Sequence, residues 1–194
     1  MKLLSTLLVT ATLAIPTLAI PELASAAPAP AWTVDKAASK LGFSSSFGGA
    51  GFTGVFRRWD AVIHFDPKNL PGSSVTATVE TASAVTGDKD RDQGLPGDQF
   101  LAAAKFPRAT FTASSFKDLG GGHYQAIGQL TLRGVAKPLT LPFTLAITGN
   151  QAKMTANVAV NRLAYGVGQG EWKATEAIPA AVNVTVDLTA RRAP

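Results

Sequence analysis

The strongest constraint on this chain is an alternation of apolar and polar residues, one on and one off, over runs long enough to be whole strands. Near the C-terminus Val182, Val184, Val186, Leu188 and Ala190 share one side, with Asn183, Thr185, Asp187 and Thr189 on the other. Leu139, Leu141, Phe143, Leu145 and Ile147 alternate with Thr140, Thr144 and Thr148. Pro142 falls on that polar phase without a donor, which marks an edge, bulge or seam. Tyr124 to Leu132 and Met154 to Val160 obey the same rule. Leu41 to Phe47, Trp59 to Phe65, Val75 to Val79 and Phe111 to Ala113 follow it less cleanly. Asp66-Pro67, Pro71-Gly72, Gly120-Gly121-Gly122, Gly134 and Gly149-Asn150 punctuate the runs as turns.

The count is about eight strands, several near ten residues and therefore about 33 Å long. Long amphipathic strands on short connections predict an all-β fold, a single antiparallel up-and-down barrel with no exposed edges. A β-sandwich is the alternative. The segment 86–106 breaks the alternation, being polar and then helical in character from Asp98 to Ala104. It reads as a short helical insertion lying across one end as a lid or plug.

The first residues read as an address. Lys2 precedes an apolar run from Leu3 to Ile15, Pro16 and Pro21 follow, and Ala24-Ser25-Ala26 is a small-residue cleavage signal. The apolar run is too short to span a bilayer, and no cysteine at the junction offers a lipid anchor. The expected division is a signal peptide over 1–26 cleaved after Ala26, a flexible leader over 27–31, a barrel domain over 32–190 and a C-terminal tail over 191–194. With no cysteine anywhere, the fold must hold by burial and backbone pairing alone. The formal net charge of +5 is spread without a basic run interleaved with aromatics, so nucleic acid is not expected. Peripheral contact with a membrane surface suits an exported basic protein better.

Groups for catalysis are scarce. Only His64 and His123 are present, with no nucleophile elbow and no spacing for a tight zinc site, so neither an enzyme nor a metal protein is expected. Asp88, Asp90 and Asp92 begin like a calcium loop, but Gln93 and Gln99 stand where the glycine and the bidentate glutamate belong. Gly166, Gly168 and Gly170 are not followed by an amphipathic helix, so they read as a flexible loop rather than a phosphate cradle. The positive signal is the inward phase itself. Phe43, Phe47, Phe52, Phe65, Phe111, Leu130, Phe143 and Met154 are mixed there with Ala61, Ala77, Ala113, Ala126, Gly128 and Ala156. Small inward residues leave space, and the interior is either an apolar cavity walled by the larger ones or a simply packed core.

Several motifs resemble a known family. Trp32-Thr33-Val34-Asp35, Leu41-Gly42-Phe43 and Ile63-His64-Phe65-Asp66-Pro67 are similar to strands of YceI-like domains. Thr86-Gly87 with Arg91-Asp92, and Phe106-Pro107-Arg108-Ala109-Thr110-Phe111, are the most specific markers. Leu130 to Val135, Lys137-Pro138 and Asn161-Arg162 complete a resemblance that covers nearly the whole chain after the signal segment. It implies a lipocalin-like barrel in the periplasm, without cofactor or catalysis, that binds and transports or stores an isoprenoid lipid such as a polyprenyl phosphate. The stretch Gly166 to Trp172 looks like a subgroup associated with cytochrome b561-type membrane proteins. That adds a quinone as ligand, and adds the alternative of a stress or accessory protein acting on such a cytochrome. Arg91, Arg108, Lys137 and Trp172 are candidates for the rim or head-group contacts. The glycine-rich Gly48 to Gly54 departs from the bulkier loop common in the family.

Overall fold

A computed structural model describes residues 27–193; the signal peptide expected over 1–26 and Pro194 lie outside the described residues. Eight strand paths close into an antiparallel barrel, and the first three paths are each broken in two. They are β1 (Ala31–Val34) with β2 (Lys40–Phe47), β3 (Ala50–Phe56) with β4 (Trp59–His64), and β5 (Ser74–Glu80) with β6 (Ala84–Val85). Then follow β7 (Arg108–Gly120), β8 (His123–Leu132), β9 (Val135–Thr148), β10 (Gln151–Asn161) and β11 (Ala181–Arg192). Closure comes from β11, which pairs with β2 through Asn183–Asp187 and with β1 through Ala190–Arg192.

The breaks have local causes. At Asp35 the carboxylate accepts from the amides of Ala37 and Ala38, which turns the chain out of the ladder before it re-enters at Lys40. At Arg57-Arg58 and Thr81–Ser83 two jogs lie side by side. There the buried Ser83 hydroxyl donates to the Glu80 carbonyl (2.7 Å) and accepts from the Arg58 amide (3.1 Å). Pro142 stands where the β9–β10 ladder, paired from Thr148 to Phe143, comes to its end. A residue without a donor costs nothing at that place.

Two differences from the sequence reading have physical reasons. The helix of the insertion, α1 (Lys89–Gly94), begins earlier than the alanine-rich stretch and is capped by Asp88, whose side chain accepts from the Arg91 amide. From Asp98 to Ala104 the chain is wound into turns, with Ala102 at a φ of 46° and Leu101 to Ala103 buried. Burial of these small apolar residues outweighs their helix propensity. The leader expected to be flexible is packed down. Ala29 is 3% exposed and donates its amide to the Gly72 carbonyl, while the Pro30 carbonyl accepts from Phe65.

Packed clusters occupy the two ends. At one, Trp32, Phe65, Tyr124, Ala152, Leu188 and Ala190 come together. At the other, Phe43, Ala84 and Leu101 are joined by Leu95 and Val167 from the overlying loops. Those loops are held by buried polar contacts. The Arg162 side chain, in a residue 3% exposed, donates to the carbonyls of Val167, Ala174, Ile178 and Pro179. Burial pulls its pKa below the ordinary guanidinium value. Gly168, at a φ of 85°, leaves room for that guanidinium where any Cβ would overlap it. Arg162→Lys, which cannot reach all of these carbonyls, is expected to destabilise the fold by about 3 kcal/mol by leaving buried acceptors unpaired. Urea unfolding measures this, and amide exchange should rise first within 166–180.

Candidate functional site

A cavity of about 140 Å³ lies inside the first of the two packed clusters, five of whose six buried residues line it. The register explains why it is there. Ala61 faces Ala77 across β4 and β5, and Ala152 faces Ala190 across β10 and β11, so small side chains sit side by side where larger ones would meet. All four line the cavity, with Trp59, Phe111, Leu141 and Met154 among the larger walls. Ser74 is the one polar residue among those lining it. One end is walled by aromatics: the Phe65 ring meets Phe116, Tyr124 and Phe143 edge-on at centroid distances of 5.3, 5.5 and 5.9 Å. Such contacts fix ring orientation beyond what burial alone does.

Of the residues expected at the cavity, Phe65, Phe111, Phe143 and Met154 line it. Phe43 and Phe52 belong instead to the cluster at the other end, and Leu130 lies half-buried in the wall opposite Phe111. Phe47 is 46% exposed and leans on Trp172 at the rim (6.0 Å). Alternation alone would point Phe116 outward. A bulge between Ala113 and Ser115 resets the phase of β7, so that Phe116 pairs with inward Ala126 and lines the cavity. Trp32, Leu41 and Trp59 are further liners, each on the apolar phase of its strand.

Beyond the Phe43 cluster runs an open groove of about 500 Å³ lined by Ser44, Ser45, Gly51, Phe52, Thr53 and Thr86. The Ser45 hydroxyl is buried, with no hydrogen-bond partner among the described residues. Arg91 is the expected rim cation that reaches this groove. Its guanidinium lies over the Phe52 ring at 4.3 Å and donates from Nε to the Thr86 hydroxyl at 3.2 Å. Arg108 is exposed on the outer wall opposite Glu80. Lys137 is exposed near the start of β9 opposite Leu130, on the inward phase of Leu139 and Leu141 but away from the cavity lining. Trp172 donates to the Gln99 side chain (2.8 Å) and packs on Phe100, so the glycine-rich stretch before it is engaged within the chain. The aspartates of the 88–92 stretch act within the chain: Asp88 caps α1 and pairs with the Arg91 guanidinium (3.3 Å), and Asp92 accepts from the Thr86 amide and hydroxyl and the Gly87 amide. Among the described residues no group of three His, Cys, Asp or Glu side chains could hold a metal ion.

Residues 32–190 match the YceI-like domain. The chain belongs to the YceI-like family. It is 43% identical over 97 residues to a UPF0312 protein of Yersinia pestis (strain Pestoides F), a match covering 50% of each. The chain thus spans about half the length of the curated relatives it matches. Burkholderia cenocepacia BcnA superposes with a TM-score of 0.78 at 32% identity, over 80% of this chain and 98% of that one. A polyisoprenoid binding domain from Saccharophagus degradans shares the fold, with a TM-score of 0.67 at 18% identity over 84% and 99%.

The hydrogen bonds from Thr86, side chain first and then backbone, hold the Asp92 carboxyl below the usual carboxylate range. A depressed folded value means the clasp is complete at neutral pH and is lost as pH falls through it. Carboxyl NMR should place the Asp92 midpoint below that of a free aspartate. The Thr86 and Gly87 amide signals should move with the same midpoint.

Proposed function

We propose that this YceI-like domain is a non-catalytic carrier for an isoprenoid lipid, with the apolar tail in the barrel and the polar head in the adjoining groove. The observation that carries this reading is an interior space walled almost wholly by hydrocarbon, next to a groove holding a cation and an unsatisfied hydroxyl. A guest without polar groups along its length suits the first, and a phosphate or quinone head suits the second. The polyisoprenoid binding of the Saccharophagus degradans domain of the same fold supports this ligand class. Phe65, Phe111, Phe143 and Met154 form walls against the tail, and Arg91 faces the head. The signal segment over 1–26 supports action in the periplasm, with the lipid transported or stored there and exchanged at membranes, since a free tail in water is costly.

Magnitude limits how much of a tail fits. At 10–15 Å³ for each water-sized occupant, a cavity of about 140 Å³ takes about ten carbon-sized groups, roughly two isoprene units. At ~0.8 kcal/mol per buried CH₂ the gross gain is about 8 kcal/mol, before the cost of ordering the chain. A long polyprenyl tail must either displace side chains or leave part of itself outside.

Organic extraction of protein purified from membrane-containing cells, followed by mass spectrometry, should release a stoichiometric prenyl lipid or quinone. Ala77→Phe, which puts a ring into the cavity, should leave the unfolding midpoint within about 1 kcal/mol of its original stability or raise it. The same change should remove the extracted lipid. A lipid retained undiminished in a well-folded Ala77→Phe protein, or a barrel persistently empty, would overturn the reading.

A further inference from the structure

Along β2 the inward side chains come in the order Leu41, Phe43, Ser45, and each meets a different surrounding. Leu41 lines the apolar cavity. Ser45 lines the polar groove, where its buried hydroxyl lacks a partner among the described residues. Phe43 stands between them, buried, its ring 5.2 Å from that of Phe56. The facing strand repeats the order: Phe56 lies in the cluster, Gly54 opposite Phe43, and Phe52 in the groove opposite Ser45. Gly54 has no side chain for a reason visible here, since a Cβ at that position would overlap the Phe43 ring. Two strands therefore agree that one aromatic layer separates the cavity from the groove.

We propose that the Phe43 ring is the partition that determines tail length. With the ring in place, the cavity ends at Leu41 and accepts a short apolar tail. When the ring, which rests against the bare backbone of Gly54, turns away from it, cavity and groove join into one channel for a long amphiphile. The inference rests on the carrier reading and adds to it a residue that selects among ligands. It also gives the unpartnered Ser45 hydroxyl a purpose: it stands just beyond the partition, at the first place where a chain leaving the apolar space meets a polar group. Within the glycine-rich run from Gly48 to Gly54 it is Gly54 that serves this end, because bulk opposite Phe43 would displace the ring.

The test uses geraniol, farnesol and geranylgeraniol, a series one isoprene unit apart, in competition with a fluorescent fatty-acid analogue on the whole chain. For the unaltered protein, affinity should level off at geraniol and rise little beyond it, because about two isoprene units already fill the cavity. In Phe43→Ala the levelling should move at least one isoprene unit further along the series. Phe43→Leu, which keeps the interior filled without a ring, should move it in the same direction and carries the comparison if the alanine variant does not fold. Gly54→Ala should alter the levelling point only while the ring is there, so its effect should vanish in the Phe43→Ala background. A levelling point unchanged in cooperatively folding Phe43 variants, or a Gly54→Ala effect that persists without the ring, overturns the partition while leaving the carrier intact. If the unaltered protein takes up none of the alcohols, the carrier reading fails and the partition falls with it.

Discussion

A closed sheet encloses a volume set by the number and tilt of its strands, and the side chains sent inward either fill that volume or leave it. This barrel has eight strands, a size at which either outcome is possible. What decides it is the cross-strand pairing of alanines, Ala61 with Ala77 and Ala152 with Ala190. Scattered singly, the same alanines would be covered by a neighbouring leucine or phenylalanine. Paired in register, they thin the wall of the space that the surrounding aromatics enclose. The space is thus bounded by large side chains and opened by small ones facing each other, and the functional inferences depend on that arrangement.

The ends have to be closed without covalent help, because the chain has no cysteine. Single cations do much of this. Arg162 gathers four carbonyls of the 167–179 stretch, and Arg133 donates to the carbonyls of Asp98 and Phe100 in the other overlying loop. The two loops are then tied to each other, since the Gln99 carbonyl accepts from the amides of Gly168 and Gln169. A guanidinium suits this task because its donors point in fixed directions and it remains charged despite desolvation. Surface ion pairs such as that of Lys36 with Asp60, both well exposed, add little by comparison.

The barrel was legible because the period-two pattern and the turn residues agree over most of the chain, and long strands have few other solutions. The breaks in the first three paths were not, since they depend on a carboxylate turning back on its own backbone at Asp35 and on contacts between jogs that are distant in sequence. The site was half legible. Phe65, Phe111, Phe143 and Met154 stand on the cavity because their phase is undisturbed from strand start to cavity wall. Phe116 escaped because one bulge reverses the phase, and a bulge at Ala113–Ser115 carries no turn residue to announce it. Phe43 and Phe52 have the inward phase but lie too far along their strands, and alternation reports which face a residue takes, never how far along the axis the space extends.

An empty apolar space is itself a store of free energy. At about 24 cal/mol per Å³ of cavity, 140 Å³ costs the fold about 3 kcal/mol. For a domain without disulfides that is a large share of a typical stability. Filling the space would be an easy gain, since one alanine exchanged for a larger residue at the Ala61–Ala77 pair would take up much of it. The energy is recoverable in another way. A guest that enters regains the contacts the walls lack, and it does so without the ordering cost that a collapsed, rearranging pocket would add. A pre-formed cavity therefore trades stability of the free barrel for affinity toward the guest. The aromatic layer at Phe43 limits that trade to the part of the interior that stays open when no ligand is bound.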